Sequence, residues 1–361
     1  MIPRVTATID LAAIRHNLAQ VRRLAPGTKV MAAVKADAYG HGAVPVARTL
    51  EEAGVDMLAV ACMEEAIILR EAHVKAPIAL LEGVISSEEV ALAVYERLQI
   101  VVHDHWQIAL LEALPPTSDV SLWFKLDSGM HRLGFPLSDV QKLAQTLRRH
   151  PNWNFQGWMT HLACADETQN PATREQIERF NTALQGQGGA RSIANSAGLI
   201  AWPQARADWV RPGLALYGAS PLPGRTAHDL GLKPAMKLES RLIAVREYAT
   251  GEAIGYGQTY RCPERMRVGV AAVGYADGVH RSLRIGTPVQ VRDARAQLVG
   301  RVSMDMISLD LRPVPEARVD DAVLLWGDAL PAEEIADCAG TIVYELFCGL
   351  TNRVRFLHIN G

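Results

Sequence analysis

The stretch VKADAYGHG, residues 34–42, sets a single lysine, Lys35, directly after the apolar run KVMAAV (29–34). An acid, a tyrosine and a histidine between glycines follow it. A lysine amine held away from water and near other cations loses proton affinity, which frees its lone pair to attack a carbonyl. Other polar residues occupy comparable places. Lys125, Asp127 and Arg132 lie in or just after VSLWFKL (120–126), and His161 ends FQGWMTH (155–161). Asn195 and Ser196 follow SIA (192–194), and Arg211 follows DWV (208–210). Ser196 and the backbone N–H groups around Gly213 and Leu214 could cradle a phosphate. An amine, a phosphate cradle and carbonyl chemistry suit a pyridoxal phosphate Schiff base, or equally a Schiff-base aldolase of sugar phosphates. Each residue alone has a blander reading: a solvated strand-end lysine, a satisfied core histidine, a surface arginine before a Pro-Gly turn.

The elements that must position these residues follow from periodicity. Eight short apolar, β-branched runs read as strands: Val30–Val34, Met57–Cys62, Ile78–Leu81, Ile100–His103, Val120–Leu126, Phe155–His161, Ser192–Asn195 and Asp208–Val210. Between them, stretches such as VPVARTLEEAG, MEEAIILREA, SEEVALAVYERL and DVQKLAQTLRRH repeat apolar residues at helical spacing. Strand alternating with helix eight times predicts an α/β protein with an N-terminal (β/α)8 TIM-type barrel over residues 1–229. A doubly wound sheet is the second choice, because no GxGxxG opens the first unit. Strand ends of such a barrel converge on one mouth, and its phosphate sites commonly use the loops after strands seven and eight. Beyond PLPGRTAHDLGLKP (221–234) the texture becomes short strand-like runs broken by Gly, Pro and Asp. That predicts a C-terminal, mostly β-strand domain over residues 230–361, ending in a helical stretch, PAEEIADCAGTIVYELFCGL.

Composition narrows the function classes. The 361 residues are 49% hydrophobic and 21% charged with a net charge of −2, which gives no electrostatic case for nucleic acid or an anionic membrane. Five scattered cysteines without a CxxC pair point to reduced thiols, and no apolar leader or membrane-length run is present, so a cytoplasmic location is expected. HDH (103–105) lacks metal-ligand spacing, and QGQGGA (185–190) follows a helix rather than a strand. The EEA, SEE and EE pairs read as solvated helix faces.

VKADAYGHG closely resembles the cofactor-lysine motif of the alanine racemases, fold-type III pyridoxal phosphate enzymes. KLDSGMHRLGF (125–135), THLACAD (160–166), IANSAGL (193–199), RPGLALYG (211–218), GYGQTY (255–260), VGYADG (273–278) and VGRVSMDM (299–306) occur in that family's order. The resemblance implies an isomerase that interconverts L- and D-alanine with pyridoxal 5'-phosphate, supplying D-alanine for peptidoglycan or serving alanine catabolism. It implies that Lys35 binds the cofactor as a Schiff base and works as base on one face of the substrate carbon. Tyr256, from the other subunit of a homodimer, would be the base on the opposite face. Arg211 would face the pyridine nitrogen and, being permanently protonated, leave it without a proton; His161 would hydrogen-bond Arg211. Tyr39, Asn195, Ser196, Gly213 and Leu214 would hold the cofactor, and Arg132 would bind cofactor and substrate carboxylate with Met304. Tyr275 and Asp305 would form the entrance. Lys125, beside Arg132, is a candidate for carbamylation, with a salt bridge to Asp127 as the alternative. Asn352 stands where some relatives carry a phosphate-binding tyrosine, so that contact is not carried over. A broader-specificity racemase, a basic-amino-acid decarboxylase and a pyridoxal phosphate carrier remain alternatives at this point.

Overall fold

A computed structural model describes residues 3–115 and 117–361. Eight parallel strands run Lys29–Ala33, Met57–Val60, Ile78–Leu80, Gln99–Val102, Val120–Asp127, Trp153–Met159, Ala190–Ser192 and Trp209–Val210. They pair in chain order, and Trp209–Val210 pairs with Lys29–Ala33 to close the ring. These are the expected eight strands, with ends moved by a few residues. Near-continuous burial along them, for example at every residue of Met57–Val60, is what a parallel sheet covered on both faces requires.

The barrel is filled. Met31, Met57, Ala59, Ala79, Val101, Trp123, Met159 and Trp209 pack together inside it. Trp123 and Trp209 meet edge to face at 5.6 Å, and the Trp123 indole N–H donates to Gln99 Oε1 at 2.7 Å. A packed lumen leaves chemistry to the mouth, where strands end.

Helices cover the outside with amphipathic faces; Ser87–Tyr95 shows the local logic. Ser86 Oγ accepts the Glu89 N–H at 3.2 Å while Glu89 Oε2 accepts the Ile85 N–H at 2.9 Å, a reciprocal cap that starts the helix. Val90 and Ala93 then face inward.

The acidic pairs correct an expectation. One carboxylate of each pair is not merely solvated but ties down loop amides. Glu51 Oε1 accepts the Lys75 N–H at 2.6 Å and also the Ala76 N–H. Glu65 spans the Ala36 and Ala61 amides. Glu333 Oε1 accepts from Ser220 and Ala227 at 2.7 and 3.0 Å. This role is hidden because sequence spacing sees only the helix and not the loop it meets.

The chain divides into two compact units. One comprises Arg15–Leu216 and Pro221–Gly224; the other comprises the N-terminal residues up to Ile14, Tyr217–Ser220 and Arg225–Gly361. The N-terminal strand, Thr6–Asp10, groups with the C-terminal residues because it pairs antiparallel with Met236–Tyr248 and parallel with Arg355–Ile359. In that unit the long strand Met236–Tyr248 pairs with Ala322–Trp326 in its first half and Met266–Ala271 in its second, across a bulge at Leu242. Pro288–Val291, Ala294–Val299 and Ile307–Asp310 complete an antiparallel ring. The helical stretch near the C-terminus is present as Ala332–Ala339 and Val343–Cys348. Among the described residues no helix is long and apolar enough to cross a membrane.

Candidate active site

The strand that carries Lys35 does not pass straight into a right-handed helix. Ala36, Asp37, Ala38 and Tyr39 all have φ between +51 and +54° and ψ between 42 and 54°, one turn of left-handed helix built without glycine. Each such residue is disfavoured by about 1–2 kcal/mol, so the turn needs outside support. Part of it is internal: Ala38 N–H donates to the Val34 carbonyl at 2.9 Å and Gly42 N–H to the Asp37 carbonyl at 3.0 Å. The Asp37 carboxylate accepts the Ala43 N–H at 2.6 Å, and Glu65 Oε1 accepts the Ala36 N–H at 2.6 Å. The turn brings the Tyr39 hydroxyl over Gly213, where an added Cβ would sit 2.3 Å from it. Only glycine permits that approach.

Beside Gly213, Ser196 Oγ accepts the Gly213 and Ala215 N–H groups at 2.9 and 3.2 Å, so this expected donor is engaged by Ser196 here. Leu214 lies between the two. Asn195 is used differently from the expectation for it: its Oδ1 accepts the Gly198 N–H at 2.9 Å and caps the short helix Ser196–Ala201. Its side chain thereby orients Ser196.

Arg211 is only 7% exposed. Its guanidinium donates through Nη1 to Ser192 Oγ at 2.6 Å and through Nη2 to the Thr160 and Ile193 carbonyls. The expected partner, the His161 ring, is not among these acceptors. Burial, then the Arg211, Lys125, Arg132 and Lys35 charges, hold the His161 imidazole well below its usual range. His161 is instead fixed through its backbone, whose carbonyl accepts from Gln176 Nε2 at 3.0 Å. Gln176 also reaches Ser128, which shares a 2.8 Å hydrogen bond with Thr160. This buried polar chain under the arginine was not legible beforehand, since Ser128, Thr160, Gln176 and Ser192 meet only across three strands and a helix.

Burial and the positive charges of Arg211, Arg132 and Lys35 lower the Lys125 amine to about 8. Asp127 alone opposes the shift, more weakly than any of these acts, and its carboxylate is engaged elsewhere. It accepts the Gly129, Met130 and His131 N–H groups at 2.8, 3.0 and 3.1 Å and pairs with His131 Nδ1 at 3.0 Å. The alternative of a Lys125–Asp127 salt bridge is therefore not what the structure holds. Burial also lowers Arg211 to about 10. Among the described residues, no carboxylate forms an ion pair with Lys35, Lys125, Arg132 or Arg211.

Four cations without a counter-charge, a tyrosine hydroxyl and Ser196 over a glycine make a cradle suited to an anion that also carries a carbonyl. Pyridoxal phosphate fits that donor set: phosphate and phenolate for the cations and hydroxyls, an aldehyde for an amine.

The remaining expected residues lie in the other unit, on three adjoining turns. Tyr256 sits in the turn Tyr256–Gln258, where a Cβ on Gly257 would meet the Arg301 guanidinium at 3.2 Å. Tyr275 N–H donates to the Ser303 carbonyl at 3.1 Å and Ala276 N–H to the Met304 carbonyl at 3.0 Å. Arg353, which sequence reading passed over in favour of its neighbour Asn352, bridges the last two turns. It pairs through Nε with Asp277 Oδ1 at 3.1 Å and through Nη2 with Asp305 Oδ1 at 2.8 Å. Tyr256 is 69% exposed, Tyr275 40% and Met304 51%.

Comparisons with known proteins agree with this geometry. Residues 9–221 match the alanine racemase N-terminal domain family and residues 235–358 the alanine racemase C-terminal domain family. The alanine racemase of Nitrosococcus oceani is 50% identical over 96% of this chain and 97% of its own length. The catabolic alanine racemase of Pseudomonas putida is 49% identical over 95% and 96%. The biosynthetic alanine racemase of Pseudomonas aeruginosa superposes with a TM-score of 0.95 at 45% identity, covering 99% of both chains. That of Bartonella henselae, solved with covalently bound pyridoxal phosphate, gives 0.90 at 28% identity over 99% of this chain and 100% of that one. With both halves matched and relatives near half identical along almost the whole length, the chain belongs to the alanine racemase family.

Proposed function

We propose that this protein interconverts L- and D-alanine with pyridoxal 5'-phosphate, using Lys35 and the partner subunit's Tyr256 as bases on opposite faces of the α-carbon. The observation that carries the reading is the unneutralised cluster of Lys35, Lys125, Arg132 and Arg211 at the mouth of a filled barrel. When bound, the cofactor supplies an aldehyde for an amine and a ring that withdraws electrons from the carbon losing its proton.

The chain's residues do the rest. Lys35 holds the cofactor and moves a proton at its Nζ on one face of the carbon. Tyr256 moves a proton at its hydroxyl on the other, because inversion needs removal and delivery on opposite sides. Arg211 spends three of its five N–H groups on Ser192, Thr160 and Ile193, which leaves its Nε–H and one Nη1–H for the cofactor ring. A guanidinium donates and cannot accept, so Arg211 would supply only a donor to a ring nitrogen there and would not stabilise its protonated form. Tyr39, Ser196, Gly213 and Leu214 hold the phosphate, with Asn195 orienting Ser196. Arg132 and the Met304 backbone N–H bind the substrate carboxylate, and Tyr275 and Asp305 narrow the entrance.

Lys125 is proposed to be carbamylated. An amine with a pKa of about 8 is substantially neutral near that pH; the neutral form adds carbon dioxide with release of one proton, so that, counted from the ammonium, two protons leave and a cation becomes an anion facing Arg132. Intact mass recorded without acid, before and after carbon dioxide removal, reads this out; an unchanged mass would reject it.

The second domain, residues 230–361, is proposed to complete the partner subunit's site in a homodimer. Support comes from the exposed Tyr256, Tyr275, Met304 and Met306, apolar groups that one chain leaves uncovered. Two experiments test the whole reading. Purified protein given L-alanine should accumulate D-alanine, and its absence refutes the activity. Inactive Lys35→Ala and Tyr256→Phe chains, refolded together, should regain activity, since mixed dimers contain one intact site. Continued inactivity of the mixture would refute the shared site.

A further inference from the structure

We infer that Glu65 is the positioning residue for Lys35: its carboxylate holds the left-handed turn that aims the lysine. The inference rests on the reading of Lys35 as the cofactor lysine.

Glu65 stands in the first turn of the helix Met63–Glu71, so a rigid element rather than a loop fixes its carboxylate. That end of a helix also favours a negative charge. Its two oxygens reach two different strand ends. Oε2 accepts the Ala61 N–H at 2.8 Å, just past Met57–Val60, and Oε1 accepts the Ala36 N–H at 2.6 Å, one residue past Lys35. The two strands are in register at Ala33 and Ala59, and the Val34 N–H donates to the Ala59 carbonyl at 2.8 Å. The Ala36 and Ala61 amides are therefore the next donors beyond the ladder, and one carboxylate serves both.

The left-handed turn begins at Ala36, φ +51°, and continues through Asp37, Ala38 and Tyr39. Four successive residues with a Cβ do not stay there unaided. Asp37 secures the far end through the Ala43 N–H; Glu65 secures the near end, at the peptide that joins Lys35 to the turn. Without that bond Ala36 is free to return to negative φ, and the direction of the Lys35 side chain changes with it. Glutamine is not equivalent here: it has one acceptor oxygen, and its NH2 would face the second amide donor.

The test uses the full-length chain stripped of cofactor. Pyridoxal phosphate is added, samples are reduced with borohydride at timed intervals, and labelling of Lys35 is followed by peptide mass. Glu65→Ala should slow labelling by about tenfold to a hundredfold, the range spanned by one hydrogen bond to a charged group. Glu65→Gln should slow it less. In the loaded enzyme kcat should fall with KM for alanine little changed. Adding Ala36→Gly to Glu65→Ala should recover much of the labelling rate, because glycine takes positive φ freely. Equal labelling in wild type and Glu65→Ala overturns the inference. So does a loss that Ala36→Gly leaves untouched while the melting temperature falls, which would make Glu65 a support of the fold alone. A wild-type chain that labels at a lysine other than Lys35 overturns the cofactor reading itself, and this inference with it.

Discussion

The barrel mouth and the three turns of the second unit are built on opposite principles. At the mouth, Arg211 and Lys125 are 7% and 9% exposed, and their charges crowd one another with buried backbone carbonyls and hydroxyls for company. On the turns, Tyr256 is 69% exposed and Met304 51%, and Arg353 is paired with the Asp277 and Asp305 carboxylates. One region stores electrostatic tension that an anionic ligand can relieve; the other offers apolar groups that a second protein surface can cover. The difference teaches that the two regions answer to different partners: buried, crowded charge suits a small anion, and exposed apolar groups suit a protein surface.

The largest expected effect breaks the mouth outright. Lys35→Ala should remove covalent cofactor binding and lower racemisation by at least about 10⁴-fold, losing nucleophile and base together. Cofactor absorbance after gel filtration and D-alanine formation measure both; retained covalent cofactor would move the anchor elsewhere. Tyr256→Phe touches only the other region. Turnover should drop by about 10²–10⁴-fold with cofactor fully retained, as loss of one acid–base group implies. Undiminished turnover would remove Tyr256 from the mechanism.

Stability should separate the regions in the reverse sense. Arg211→Leu leaves the Thr160 and Ile193 carbonyls without the guanidinium, while Ser192 Oγ keeps its bond to the Trp209 carbonyl, at a cost of about 1–3 kcal/mol for unsatisfied buried groups. Tyr256→Phe removes a hydroxyl from an exposed ring and should leave urea midpoints unchanged. Equal midpoints for both variants would mean that the mouth is no more tightly built than the turns.

What sequence could reveal follows the same division. Barrel strands were legible because each is short, apolar and set off by helices of clear period, and Lys35, Lys125, His161 and Arg211 fall at their ends. The strand Thr6–Asp10 and the helix Leu11–Leu24 were not recognised: TATID alternates too briefly to signal a strand whose partners lie more than two hundred residues away. The left-handed turn was equally hidden, since Ala36 and Ala38 carry no sign of positive φ and the support comes from Glu65, in a different helix. Asn195 illustrates a subtler gap. Its place in the motif was plain, yet its side chain serves a helix cap, a use that the residue type favours wherever a helix begins.

The smallest expected effect is a pH dependence confined to the mouth. In the cofactor-free protein His161 is held well below its ordinary 6.5 by burial and by four neighbouring cations, so the folded state refuses a proton that the unfolded chain accepts. The unfolded state then binds more protons as pH falls below about 6.5, and stability declines by up to about 1.4 kcal/mol per pH unit until the folded pKa is reached. Above that window His161 contributes nothing further. Lys125 obeys the same rule higher up: between about 8 and 10.5 the unfolded amine is protonated and the folded one is not, so stability from this group rises with pH there. Inorganic phosphate should flatten both slopes, because an anion at the mouth offsets the repulsion that causes them. His161→Gln should abolish only the acidic slope. An acid transition that survives His161→Gln unchanged would assign it to ordinary surface carboxylates, and the electrostatic contrast between the two regions would lose its thermodynamic basis.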